Sequence, residues 1–114
     1  MNISRGDIFL ASLDPVVGHE ISKTMPVVIV SNNINNKYNS TVSVLPLTSQ
    51  KVDKVYPFEV LIEEGEANLQ KRSKIKADQI RTLDKIRLIK RFGCLSEVQI
   101  KELNKSIKIH LALD

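Results

Sequence analysis

The spacing of apolar and polar residues along this chain favours strands almost throughout, and only the last segment changes period. Residues 7–13, within "GDIFLASLDP", alternate in part and stop at Asp14-Pro15, a turn signal, which predicts a first strand. "PVVIVSN" (26–32) is a continuous β-branched run, the pattern of a strand buried on both faces. "NNINNKYNS" is too rich in Asn for a regular strand and predicts a loop or one helical turn. "TVSVLPLTS" (41–49) predicts a strand in which Pro46 marks an edge or bulge. A further strand is expected over "YPFEVLIE" (56–63), then a turn around Gly65.

The next segment, "SKIKADQIRTLDKIRLIKRFG", alternates through Ile75, Ala77, Ile80, Leu83, Ile86, Leu88 and Phe92, enough for two or three short strands. Beyond it Ser96 and Gln99 have the spacing of a capping box. Ile100, Leu103, Ile107 and Leu111 then recur at helical spacing, one apolar face destined first for the core. Five to seven short strands and one terminal helix predict a single, mainly β domain over residues 1–114, a small β-barrel with a C-terminal helix.

Composition changes the picture in three respects. At 42 % apolar and 26 % charged, the chain can build one ordinary core. "MNISRGDIFL" lacks a signal-peptide core and no run approaches the roughly 18 apolar residues of a membrane span, so a cytoplasmic protein is expected. The single cysteine, Cys94, excludes an internal disulfide and a cysteine-built metal site, and its apolar neighbours predict a packed, inert thiol. No HExxH, CxxC, GxSxG or Gly-rich phosphate loop is present, and no metal or organic cofactor is expected.

Charge adds a direction. Nine basic residues between Lys71 and Arg91 face only Asp78 and Asp84, so this segment carries +7 while the whole chain carries +4. Such asymmetry suits a polyanion, although solvated strand faces would produce the same pattern.

Four places can carry chemistry. The long connection "VVGHEISKTMP" holds His19 and Glu20; an imidazole there can donate to phosphate or exchange protons, or simply sit in water. Thr48, Ser49 and Gln50 end a strand with groups that hold phosphate oxygens without charge, though strand ends favour them for turns as well. Lys76 and Asp78, two apart in an expected strand, lie about 7 Å from each other along one face. They can flank a phosphodiester as cation and base, or form an ordinary surface ion pair. The Asn-rich segment can read bases through its amides and Tyr38. His110, near the helix end, is expected to be structural or exposed.

Taken together, "RGDIFLASLDPVVGHE", "PVVIVSN", "VLPLTSQ", "ADQIRTLDKIRL" and "LSEVQIKELNKSIKIHLAL" closely resemble the MazF/PemK (Kid-like) toxins of type II toxin–antitoxin systems, in order and spacing over almost the whole chain. The resemblance implies an SH3-like barrel, a homodimer, and single-stranded RNA bound along the dimer groove. It further implies metal-independent cleavage of mRNA at short motifs by 2′-hydroxyl attack, leaving a 2′,3′-cyclic phosphate. A cognate antitoxin would block the site with a flexible, largely acidic segment.

Family members usually read G-[SH]-E-Q-x-x-x-R-P in the first long loop. This chain keeps Gly18, Glu20 and Pro26 but has Ile21 for the Gln and Met25 for the Arg, which in the MazF-like branch is catalytic together with the threonine matching Thr48. The PemK-like branch instead uses a histidine matched by His19 and an Arg-x-Asp pair matched by Lys76 and Asp78. The resemblance therefore implies Asp78 as base, Lys76 as cation or acid and His19 as phosphate ligand, with Thr48 in support. Glu20, Ser49, Gln50, Gln79 and Arg81 would contact RNA. Met25 is then a natural variant relying on the second set, or a silencing substitution. Two other outcomes stay open: a CcdB-like barrel that poisons gyrase without cutting nucleic acid, and a catalytically silent barrel that binds RNA or antitoxin.

Overall fold

The strand-like runs form seven strands, and the Asn-rich and C-terminal segments form helices, in a computed structural model that describes residues 1–13 and 24–114. The strands are β1 (Asp7–Ser12), β2 (Thr24–Ile29), β3 (Thr41–Thr48), β4 (Glu59–Ile62), β5 (Ser73–Lys76), β6 (Arg81–Asp84) and β7 (Leu88–Cys94). The helices are α1 (Asn33–Tyr38) and α2 (Glu97–Leu111). The described strand pairs are antiparallel. Their order is β4-β5-β3-β2-β1-β7, and β6 pairs with β3 off this path. Among the described residues these pairings do not close a ring, so the architecture is barrel-like rather than a sealed barrel.

Because successive strand side chains point to opposite faces, the sheet has two apolar layers. Ile8, Val28, Leu45, Leu47 and Ile75 pack on one face with Leu103 of α2. Phe9, Val27, Ile29, Val44 and Leu83 pack on the other. Strand β2 serves both, with Val27, Val28 and Ile29 all at 0 % exposure, as its unbroken apolar run predicted.

The capping box forms as expected: the Ser96 side chain accepts from the Gln99 N–H, and the Gln99 side chain accepts from the Ser96 N–H. Leu103 is fully buried, and Ile100 and Ile107 pack beside it. Leu111 does not continue that face; it is exposed at the last turn, before Ala112 ends the helix in a left-handed conformation.

The Asn-rich segment takes the helical one of its two expected forms, a six-residue helix that Asn32 caps by accepting from the Asn35 N–H, with buried Asn36 donating to the Ser31 carbonyl and Asn35 to the Thr41 carbonyl. Two expectations are corrected locally. Cys94 is exposed rather than packed, because β7 ends on it. The strand expected to carry both Lys76 and Asp78 breaks between them. Pairing with β3 steps three residues, from Val44 to Leu47, while the other chain steps six, from Arg81 back to Ile75. The surplus is the 3₁₀ turn Ala77–Gln79, a bulge that separates β5 from β6. Pro46, which has no N–H to donate, lies in β3 between those paired positions, where the ladder is interrupted.

Candidate active site

Cross-strand register assembles the site. Thr48 on β3 stands opposite Lys74 on β5, and Lys76 on β5 stands opposite Glu59 on β4. These side chains share one face of the sheet, while Ile75 and Ala77, of opposite parity, go into the core. Above that face lies a cavity of about 280 Å³ lined by Met25, Thr48, Gln50, Lys51, Lys76 and Gln79, among others. Four of the expected residues, Thr48, Gln50, Lys76 and Gln79, therefore meet around one cavity, with Met25 in the same wall.

Lys76 is held firmly. Its Nζ donates to Oε2 of Glu59 at 3.1 Å and lies 4.0 Å from Oδ1 of Asp78. The turn at Ala77–Gln79, rather than a continuous strand, brings these two charges together. Asp78 does not line the cavity; its carboxylate is about one-third exposed at the flank. An ammonium has three donors, so Lys76 retains capacity toward a ligand in the cavity. Thr48 Oγ1 accepts from the Gln50 N–H at 3.1 Å, which fixes the turn leaving β3 and leaves the threonine's own proton for another acceptor.

Glu59 was not legible as a site residue. Its side chain is only 1 % exposed. Oε1 accepts from the Tyr56 N–H at 3.0 Å and from Lys74 Nζ at 3.1 Å, while Oε2 accepts from Lys76. Burial pushes its carboxyl up, but the Tyr56 N–H and the ammoniums of Lys76 and Lys74 outweigh burial and hold it below the ordinary carboxylate range. Lys74, itself buried, also donates to the Lys54 carbonyl at 2.9 Å.

A second, larger cavity of about 610 Å³ adjoins the first, sharing Met25, Leu47, Thr48 and Gln50 with it. Ser49 lines only this larger one, together with Lys71, Lys90 and Arg91, and no acidic side chain lines it among the described residues. Arg91 is engaged by Asp7, 3.1 Å away, and that partner raises its pKa. Asn68 and Gln70 add amides to this wall. These residues were visible in the sequence only as members of a basic stretch.

Other parts of that stretch serve the fold. Arg72 pairs with Glu63 at 3.0 Å. Arg81 donates to the Leu13 carbonyl at 2.9 Å and lines neither cavity. His19 and Glu20 lie outside the described residues. Tyr38 is exposed on α1, and His110 is exposed near the end of α2 with its ring 6.3 Å from that of Phe58. Among the described residues no group of three or more His, Cys, Asp or Glu is arranged to hold a metal ion.

Comparison with known proteins decides the family. Residues 4–111 match the profile of the PemK-like, MazF-like toxins of type II toxin–antitoxin systems. The chain belongs to this family. It is a toxin of the endoribonuclease type, 44 % identical over 109 residues to Endoribonuclease MazF of Staphylococcus saprophyticus subsp. saprophyticus, covering 96 % of this chain and 91 % of that one.

Solved structures share the toxin's fold. The MazE–MazF crystal structure (Form-II) from Deinococcus radiodurans superposes with a TM-score of 0.82 at 22 % identity, over 100 % of this chain and 99 % of that one. An endoribonuclease from Mycobacterial species gives 0.81 at 23 % identity, over 99 % and 94 %. The gyrase-poison alternative finds no support in these comparisons. In this toxin Met25 pairs with Ala11 across the sheet and packs on the Phe9–Val27 layer, so an uncharged side chain occupies the wall common to both cavities.

Proposed function

We propose that this toxin cuts single-stranded RNA, mRNA included, at short sequence motifs without a metal, using Asp78 and Lys76. The observation that carries the reading is the cavity where Thr48, Gln50, Gln79 and an anchored Lys76 converge, with Asp78 4.0 Å from the lysine. The 2′-hydroxyl oxygen attacks the adjacent phosphorus as its proton passes to Asp78. The 5′-oxygen then leaves with a proton from Lys76, giving a 2′,3′-cyclic phosphate and a 5′-hydroxyl. Thr48 and Gln50 hold non-bridging oxygens, and Gln79 meets a base edge. Ser49 contacts RNA from the larger cavity, whose cations draw the strand in. His19 as phosphate ligand, Glu20 as base contact and Arg81 as a more distant backbone contact complete the reading.

The toxin works in the cytoplasm, as a homodimer, and is blocked by a cognate antitoxin. Support for the last point is that an endoribonuclease of Mycobacterial species, similar in fold, is solved in complex with its cognate antitoxin. For the first, no helix is long and apolar enough to cross a membrane among the described residues.

The test is incubation of purified protein with a long single-stranded RNA in excess EDTA, followed by mapping of the ends. Cuts at a recurring motif, abolished by Asp78→Ala, are expected. Met25 favours one rival, a silent barrel that binds RNA intact. Tight binding without cleavage, and a large gain on Met25→Arg, would establish that rival.

A further inference from the structure

We infer that Glu59 is a positioning residue of the nuclease site: it reserves one carboxylate oxygen to fix Lys76 beside the scissile phosphate. This rests on the assignment of Lys76 above and extends it to a buried group that never touches RNA.

The two oxygens of Glu59 have separate tasks. Oε1 takes the Tyr56 N–H and the buried Lys74 ammonium, contacts that tie β4, β5 and the preceding loop together. Oε2 takes Lys76 alone among the described residues. A carboxylate whose sole task was to neutralise buried Lys74 would be complete on Oε1 with that ammonium. The second oxygen instead faces a lysine whose side chain is 23 % exposed, which opens on the cavity and has Asp78 on its other flank. Lysine is a long, rotamer-rich side chain, and an unanchored ammonium would sample many positions. Glu59 lacks that freedom, being 1 % exposed and locked by two other donors. Anchoring by a rigid buried group is what places a reacting group accurately, and misplacement by about 1 Å costs on the order of 10²-fold in rate.

The experiment compares kcat and KM for Glu59→Gln, Lys76→Met and the double variant on a short RNA containing the mapped cut site. Glu59→Gln keeps the shape and an acceptor but removes the charge. It should lower kcat roughly 10–10²-fold with KM nearly unchanged. In the Lys76→Met background it should lower kcat no further, because the side chain through which it acts is gone. Should Glu59→Gln unfold the chain by stranding Lys74, the same comparison is made in a Lys74→Met background, where no buried charge is left unpaired. Equal kcat for Glu59→Gln and the unmodified chain, or independent losses in the double variant, overturns the role of Glu59 while leaving Lys76 standing if Lys76→Met is impaired. Undiminished cleavage by Lys76→Met, or no cleavage by the unmodified chain, overturns both readings.

Discussion

The two adjoining cavities hold similar charges in opposite ways. In the smaller one two of the three lining lysines are neutralised from beneath: Lys76 and Lys74 share the buried carboxylate of Glu59, so their charge is located but not free, and only Lys51 at the rim is exposed. In the larger one Lys71 and Lys90 are exposed and form no ion pair among the described residues. Arg91 is about half exposed while paired to Asp7. A mobile, uncompensated ammonium attracts a phosphate chain from a distance and tolerates many sequences. A compensated, immobilised one contributes little long-range attraction but can meet a single oxygen accurately. Under the proposed mechanism, the contrast separates affinity from chemistry within one basic stretch.

The largest expected effect breaks the smaller site outright. Glu59→Ala leaves buried Lys74 without its counter-charge and should cost about 3–5 kcal/mol in urea unfolding, whereas Lys71→Ala or Lys90→Ala should stay within about 0.5 kcal/mol. Equal losses at the two places would erase the distinction. Next, replacing Lys71 and Lys90 together by Ala should weaken RNA binding and flatten the slope of log affinity against log salt by roughly 1.4, with kcat on saturating RNA unchanged. A fall in kcat there would move chemistry into the larger cavity.

A subtler effect concerns acid. The folded-state pKa of Glu59 is depressed, so its contribution to stability is complete above the ordinary carboxylate value of 4.5 and is lost as pH falls from there through the depressed value. Thermal melts should therefore drop over that acidic range in the unmodified chain and drop less in Glu59→Gln, which has no proton to take up. Parallel curves for the two proteins would remove Glu59 as an ionised anchor. The smallest expected effect is on Arg72, whose exposed pairing with Glu63 should contribute under about 1 kcal/mol, detectable as a minor shift in the melting midpoint of Arg72→Ala.

Strand positions were legible because burial imposes a local rule on side-chain type. The run at 26–32 could only be satisfied by burial on both faces, and Val27 and Val28 are indeed on opposite layers. Ser96 and Gln99 announced α2 because capping is a contact three residues long. Pro46 signalled an interruption, since a missing donor weakens any ladder it joins. The break left only a faint trace: in "KIKADQIRT" the apolar positions pass from Ile75 and Ala77 to Ile80, a one-residue change of parity, and pairing with β3 showed that three of its residues form a turn.

The site divides along the same line. Lys76, Asp78, Thr48, Gln50 and Gln79 stood out by type and motif, and the fold brings four of them around one cavity with Asp78 at its edge. Glu59 did not, because a glutamate in a strand reads as solvent-facing until its neighbours on β5 are known. By itself the sequence determined which segments are strands, where the terminal helix starts, and that positive charge gathers late in the chain, all consequences of near-neighbour chemistry. Tertiary structure alone decided which of those cations are already matched by a carboxylate and which are left for a ligand, because ion pairing across β4 and β5 joins residues 15 and 17 positions apart. No local pattern records that separation; it exists only once the strands have taken their register.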